Sequence, residues 1–374
     1  MKKIYLAIIV IILVVAVGFY SKSKVPGTTN VGAILPLTGQ LAYLGEGEKL
    51  GLDIAQKELG EKSRVNLIVE DSQGDPKNAV TAARKLLSQN KAKILITSTS
   101  GASLSVAPLI KESSFLMIAD TIDNRVAKSS KYIFRPKIGE VTSARELASI
   151  IQPKNKKFAI LSVDLDFAKD IIDSFELRVK ELGGEIATKE MYTRGKNDFR
   201  TELTKIKGQK VDGIFFIDYS GPGSINMYKQ KYELGMQDIE VYGDTLTGYD
   251  TFQKMDEVNK YLMDGTISMM WPTAPEVSKD NLILSDFITR YKEKYGKSVE
   301  NFDTQYSYAY IHLLDSVLGK CNSQSTDCLS DELLKYTKEN PFQSIVGPIF
   351  FDENGNCESV MKFAKLINGK WTEI

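Results

Sequence analysis

Residues able to do chemistry gather at the ends of short apolar runs. The clearest are Thr97-Ser98-Thr99-Ser100-Gly101-Ala102-Ser103, Asp120-Thr121-Ile122-Asp123, Asp218-Tyr219-Ser220-Gly221 and Gly243-Asp244-Thr245. Each follows a run of strand length, so hydroxyls, carboxylates and the Tyr219 ring collect where loops leave a sheet, the usual place for a bound small molecule. An earlier loop presents Thr38, Gln40 and Tyr43 close to a helix start, where free amides attract an anion or a dipole. The same aspartates also read as caps of the helices behind their loops, and Tyr219 as either a ligand platform or ordinary packing. Catalysis finds little support. There is no Gly-rich nucleotide signature, no His and Cys cluster and no nucleophile elbow, and Gly221-Pro222-Gly223 is a turn. His312 is the single histidine, in an aromatic-rich helix, with no second histidine to share a metal. The sequence therefore predicts a binding protein rather than an enzyme, with no catalytic residue, no metal and no cofactor. A carboxylate pair cleaving a glycoside in a secreted hydrolase is the remaining enzymatic alternative.

The elements that position these residues alternate regularly. Val31 to Leu35 reads as a buried strand ended by Pro36, and Leu50, Ile54 and Ala55 mark a helix that runs to Gly60. Val65 to Glu70 is a strand, and Asp75-Pro76 opens a helix with its apolar face at Ala79, Ala83, Leu86 and Leu87. Lys93 to Ile96 and Phe115 to Ala119 continue the alternation. A second block follows Phe134-Arg135-Pro136, with strands at Phe158 to Val163, Ile186 to Met191, Val211 to Ile217, Glu240 to Tyr242 and Gly265 to Met270. From Asn281 the chain is helical again until Phe342, and Asp352-Glu353-Asn354-Gly355 reads as a hairpin turn into Val360 to Leu366. Strand, polar end and helix in succession define an α/β fold with parallel central sheets. Two such blocks imply two lobes facing each other across a cleft.

Lys and Arg total 48 and so do Asp and Glu, which leaves no basic field for nucleic acid. Met1-Lys2-Lys3 precedes 17 uncharged residues from Ile4 to Tyr20, and Ser21-Lys22-Ser23-Lys24 closes the run. That is a membrane-directed segment, read as an uncleaved anchor or as a cleaved signal peptide, with the body exported either way. No cysteine stands just beyond it to carry a lipid. Cys321 and Cys328 lie between two helices of an exported domain and read as a local disulfide or two free thiols, leaving Cys357 unpaired by count.

The order of ILPLTG with Gly45 and Gly51, Asp75-Pro76, Ser98-Thr99-Ser100-Gly101, Asn197-Asp198-Phe199, Tyr295-Gly296-Lys297 and Gly347-Pro348 through Gly355 resembles the type I periplasmic binding proteins. The resemblance is to the branched-chain amino acid (Leu/Ile/Val) and amide branch of ABC transporter substrate-binding proteins, and it covers Val31 to Trp371. It implies two three-layer lobes joined by a three-strand hinge near Pro136 to Val141, Trp271 to Ala274 and Phe350 to Asn354. The implied division is an N-terminal segment 1–28, a first lobe of 29–138 with 273–350, and a second of 139–272 with 351–374. It further implies ligand contacts at Ser100, Gly101, Ala102, and Thr121 to Asp123 on the first lobe, and Tyr219 with Asp244 or Thr245 on the second. The first-loop aromatic falls at Tyr43 or Leu44. Two departures stand out: Gly101 where the family often has a serine, and Asp123 where a threonine is common. Asp120 and Asp123, with Asp218 and Asp244 opposite, suggest a pocket favouring an amino group over a purely anionic ligand. The implied function is capture of an amino acid, amide or amine by lobe closure, with ABC permease subunits as partners. A membrane-anchored extracellular sensor on the same two lobes is the alternative.

Overall fold

The computed structural model describes residues 28–374 apart from Gln40, Ser114, 154–156, 219–221, Glu300 and 322–324. The N-terminal apolar run and Tyr219 therefore lie outside the described residues. Within them, no helix is long and apolar enough to cross a membrane.

Five strands, β1 (Thr29–Leu35), β2 (Val65–Asp71), β3 (Ile94–Ser98), β4 (Leu116–Asp120) and β5 (Ile133–Phe134), form a parallel sheet in the order β2-β1-β3-β4-β5. Every residue of β3 and β4 is buried, as expected of strands covered on both faces. The covering helices are α1 (Ala42–Leu59), α2 (Pro76–Ser88), α3 (Ser100–Ser113) and the short α4 (Arg125–Lys128). Asp75 caps α2 by accepting from the amides of Lys77 and Asn78, with Pro76 at the first helical position, where its missing amide costs nothing.

The chain then passes to a second sheet through α5 (Glu140–Ile151). That sheet has the order β14-β13-β10-β9-β8-β6-β7. Its parallel strands are β6 (Lys157–Val163), β7 (Glu185–Tyr192), β8 (Gly213–Ile217), β9 (Glu240–Gly243) and β10 (Ile267–Met270), with helices α6 (Asp166–Glu181), α7 (Arg200–Gly208), α8 (Pro222–Glu233) and the short α9 (Thr251–Lys254) between them. After β10 the chain returns to the first sheet as α10 (Leu282–Tyr295), α11 (Phe302–Lys320) and α12 (Thr326–Leu334). Its last passage places β13 (Lys362–Ile367) and β14 (Lys370–Glu373) antiparallel beside β10. The protein is thus a two-lobe α/β fold with central parallel sheets and connecting strands.

Two of the crossings run side by side. Arg135 donates its amide to Gly355 (2.8 Å), and Cys357 donates its own to Arg135 (2.9 Å). The buried Arg135 guanidinium bonds Asn356 Oδ1 (3.1 Å) and the Lys137 carbonyl (2.9 Å), so it stitches the two segments together.

The hairpin expected at Asp352 to Gly355 is a correction. Ile349 pairs backward with Phe342, in β12 (Gly347–Ile349) and β11 (Phe342–Ser344), and across the turn only Phe351 and Cys357 form a lone bridge. The edge hairpin is β13 with β14, turned by Asn368 and Gly369 at φ of 49° and 72°. Both turn residues adopt the left-handed conformation that a tight hairpin requires and that Asn-Gly favours.

A disulfide joins Cys321, just after α11, to Cys328 in α12, and Cys357 is free and buried. The two cysteines are 7 residues apart, so closing this short loop restricts the unfolded chain only modestly. Reduction is expected to cost about 2 kcal/mol. Parallel denaturant titrations with and without reductant, and of Cys321→Ser, should give the same loss.

Candidate functional site

A cavity of about 980 Å³ lies between the lobes. Its first-lobe wall is built from the start of α1, the β3–α3 and β4–α4 junctions and the start of α11. Its second-lobe wall comes from the start of α5 and from segments after β7, β9 and β10.

Local geometry explains why the first-lobe groups point inward. Thr99 adopts φ of +70°, rare for a β-branched residue, and this turns the chain abruptly from β3 into α3. Ser100 then opens the helix on the cavity wall, its hydroxyl 2.7 Å from that of Thr121. Tyr43 and Leu44 both line the cavity, which absorbs the one-residue choice between them, and Asn301 anchors that turn by donating to the Tyr43 carbonyl (3.2 Å). Thr38 is held elsewhere, donating to Asp71 at 2.6 Å. Gln40 lies outside the described residues.

Other expected positions lie off the cavity wall. Gly101 faces the Pro76 ring and Ala102 is buried in the core beneath α3. Asp123 is gripped by Arg125 at 2.6 Å. Burial opposes its ionisation, but the hydrogen bonds and charge of Arg125 outweigh burial and hold the carboxyl below the usual range. Asp244 is fully buried, and one oxygen accepts from the amide and hydroxyl of Thr247, both at 2.8 Å. Burial, reinforced by Glu140 nearby, pushes Asp244 well above the ordinary carboxylate range. Glu140, which does line the wall, accepts from Thr245 at 3.0 Å and is also raised by burial. His312 packs against the Tyr308 ring at 4.4 Å, away from the cavity wall.

A charged cluster that sequence reasoning missed occupies the floor. Lys137 Nζ lies 2.8 Å from Asp120 and 3.3 Å from Asp303, and Glu48 accepts from the Ser98 hydroxyl at 2.6 Å. Oxygens of Glu48, Asp120 and Asp303 fall within 4.8 Å of one another. Burial works against the Lys137 charge, but Asp120 and Asp303 more than offset it and hold the ammonium above the ordinary lysine range. Burial, with Asp120 close by, raises Glu48 well above its usual range, and burial pushes Asp303 up to about 6 against the pull of Lys137. Lys137 brings one cation to this group, paired directly with Asp120 and Asp303. Its position in the expected crossing beside Pro136 was the one signal available. Trp271 stacks on Phe302 at 3.9 Å and donates to Asp250 at 2.9 Å, joining the second crossing to the start of α11. Burial raises Asp250 to about 6.

Two parallel-sheet lobes linked by crossings, with a polar and aromatic cavity between them, define a protein that holds a small ligand in a cleft. The chain belongs to the periplasmic binding protein family, whose sequence profile matches residues 28–370. It is similar to Leu/Ile/Val-binding protein homolog 3 of Brucella melitensis, at 23% identity over 352 residues covering 92% of each chain. It is also similar to Leu/Ile/Val-binding protein BraC3 of Rhizobium johnstonii, at 26% identity covering 88% of this chain and 89% of the relative. Among solved structures, the leucine binding protein LivK of Thermotoga maritima superposes with a TM-score of 0.73 at 21% identity, covering 92% of this chain and 97% of that one. A solute binding protein of Rhodopseudomonas palustris in complex with benzoate gives 0.70 at 19% identity, covering 93% and 96%. The chain is a substrate-binding protein of the ABC importer type, in a family that captures solutes without transforming them.

Proposed function

We propose that the protein captures an amino acid or a related small amine or amide on the outer side of the cell membrane and presents it to ABC permease subunits. The observation that carries this reading is the cavity itself, with hydroxyls of Ser100 and Thr121 and a charged cluster on the first lobe facing Trp271 and Tyr249 from the second. The names of the relatives, several of them Leu/Ile/Val-binding, support the substrate class. Tyr43, Leu44, Ser100 and Thr121 are the proposed first-lobe contacts, with the α3 backbone at Gly101 and Ala102 behind them and Tyr219 closing from the second lobe. Asp123 and Asp244 act from behind the wall, Asp123 by fixing its loop and Asp244 beside Glu140. Sheet membership supports lobes of 29–138 with 273–350 and 139–272 with 351–374, hinged at the crossings. Residues 1–28 serve as a membrane anchor or an export signal.

Occupancy should be visible optically. Of the two tryptophans, Trp271 lines the cavity, whereas Trp371 packs against Tyr249 and Phe252. Titrating amino acids, amides and amines into the full-length protein should change intrinsic fluorescence, and Trp371→Phe should retain the change. No response, together with no shift in melting temperature for any of these compounds, would remove the reading.

A further inference from the structure

The charged floor of the cavity has a definite direction. Its lysine is its most exposed member: the Lys137 side chain is 13% exposed, against 2% for Asp120 and 4% for Asp303, and all three line the cavity. An ammonium has three N–H donors; Asp303 accepts from one, and Asp120 is ion-paired with the same ammonium at 2.8 Å. The rings of Phe302 and Tyr306, each just over 5 Å from Nζ, flank the head group without accepting a conventional bond. At least one donor is left, and Lys137 shares the cavity lining with the Ser100–Thr121 hydroxyl pair. Of the acids that sequence patterning offered to a cationic ligand, Asp120 is paired with Lys137 and Asp123 with Arg125, while Asp244 has one oxygen held by Thr247 and lies off the cavity wall.

We propose that Lys137 seats the anionic group of the ligand, so that the solute must carry a carboxylate, and that binding is accompanied by proton uptake in the Glu48–Asp120–Asp303 group. This rests on the reading of the cleft as the capture site and narrows its substrate class. An arriving carboxylate competes with Asp303 and Asp120 for the ammonium and adds negative charge beside them; protonating one of the acids relieves both. The cluster has spare buried positions for this exchange. Glu48 Oε2 and Asp303 Oδ2, with the hydroxyls of Tyr306 and Tyr310, are buried and have no hydrogen-bond partner. Asp303 is raised to about 6, within reach of protonation near neutral pH, and burial, with Asp120 close by, raises Glu48 as well. The other groups facing the cluster are Tyr43 from α1, Glu140 from α5, Tyr306 and Tyr310 from α11, Arg135 and Cys357 from the crossings, and Arg194 after β7. The three phenols are pushed upward, away from this pH range.

The test uses the full-length protein and two matched sets of probes. One is L-leucine, L-leucinamide, 4-methylpentanoate and 3-methylbutylamine; the other is L-phenylalanine, its amide, 3-phenylpropanoate and phenethylamine. Calorimetry should find binding only among compounds bearing a carboxylate, and the heat should depend on the ionisation enthalpy of the buffer. A bound carboxylate that raises Asp303 by one further unit would tighten binding about fivefold from pH 8 to pH 6. Asp303→Asn should flatten that pH dependence while leaving Lys137 in place, an effect that a purely structural role would not produce. The double variant Lys137→Met, Asp120→Asn leaves Asp303 as the carboxylate deprived of the ammonium, so it strands less charge than Lys137→Met alone, and it should weaken carboxylate binding at least tenfold. Equal binding of amides or amines, or unchanged affinity in the double variant, would overturn the Lys137 seat and leave solute capture standing. Binding of none of the probes would overturn both.

Discussion

Lys137→Met is expected to lower stability by about 3–5 kcal/mol at pH 8, because it leaves Asp120 and Asp303 buried without their cation. For a chain of this size that is a fall of roughly 4–7 °C in the midpoint of thermal unfolding. The loss should shrink toward pH 5. Asp303 is raised in the folded protein to about 6 from 3.8, so between those values the native state binds more protons than the unfolded chain. Stability contributed by this group therefore falls as pH rises through that window. Lys137 is the attraction opposing the rise, and its removal extends the window upward. Parent and variant should thus converge in acid and diverge in base. Melting curves from pH 5 to pH 8 check this, and a difference that stayed constant across the range would show that the lysine contributes packing rather than charge.

Gly51→Val is expected to be the most damaging substitution outside the charged cluster. A Cβ at Gly51 would lie 2.1 Å from the Thr304 carbonyl oxygen and 2.9 Å from the Tyr308 nitrogen, so the clash is with the backbone of α11 and no side chain can rotate away. The helices must separate, and overpacking of this kind costs about 3 kcal/mol or more. Gly47→Ala is the informative contrast. Its Cβ would meet the Asn301 amide, a side chain that caps α11 by accepting from the Asp303 amide at 2.8 Å and also holds the Tyr43 carbonyl. Losing that cap costs about 1 kcal/mol, and it would disturb the cavity wall more than the fold. Denaturant titration of both variants separates the two cases, and an equal effect would argue against the close helix contact at Gly51.

Much of the fold was legible because the signals are local. The buried runs of β3 and β4, Asp75-Pro76 at the start of α2 and the alternation of strand and helix each depend on neighbours a few residues apart. The Asn368-Gly369 turn was equally local, and its two residues specify the edge hairpin better than Asp352 to Gly355 does. There the Asp352 carboxylate accepts from the amides of Asn354 and Asn356 and closes a turn without strands to follow it.

By itself the sequence determined two α/β lobes, polar strand ends gathered at a cleft and the family to which the chain belongs. Tertiary structure decided which of the polar groups reach the ligand space. Asp120, Asp123 and Asp244 stand at similar strand ends, yet Lys137 holds the first against the cavity, Arg125 takes the second into its own loop, and the third is sealed behind Glu140. The decisive partners are remote: Lys137 meets Asp303 across 166 positions and Thr245 meets Glu140 across 105. Helix and strand periods repeat within a few residues and carry no record of such pairings. The charge of a buried group is set by whatever distant segment packs against it, and here that packing put an ammonium among the carboxylates at the floor of the cleft.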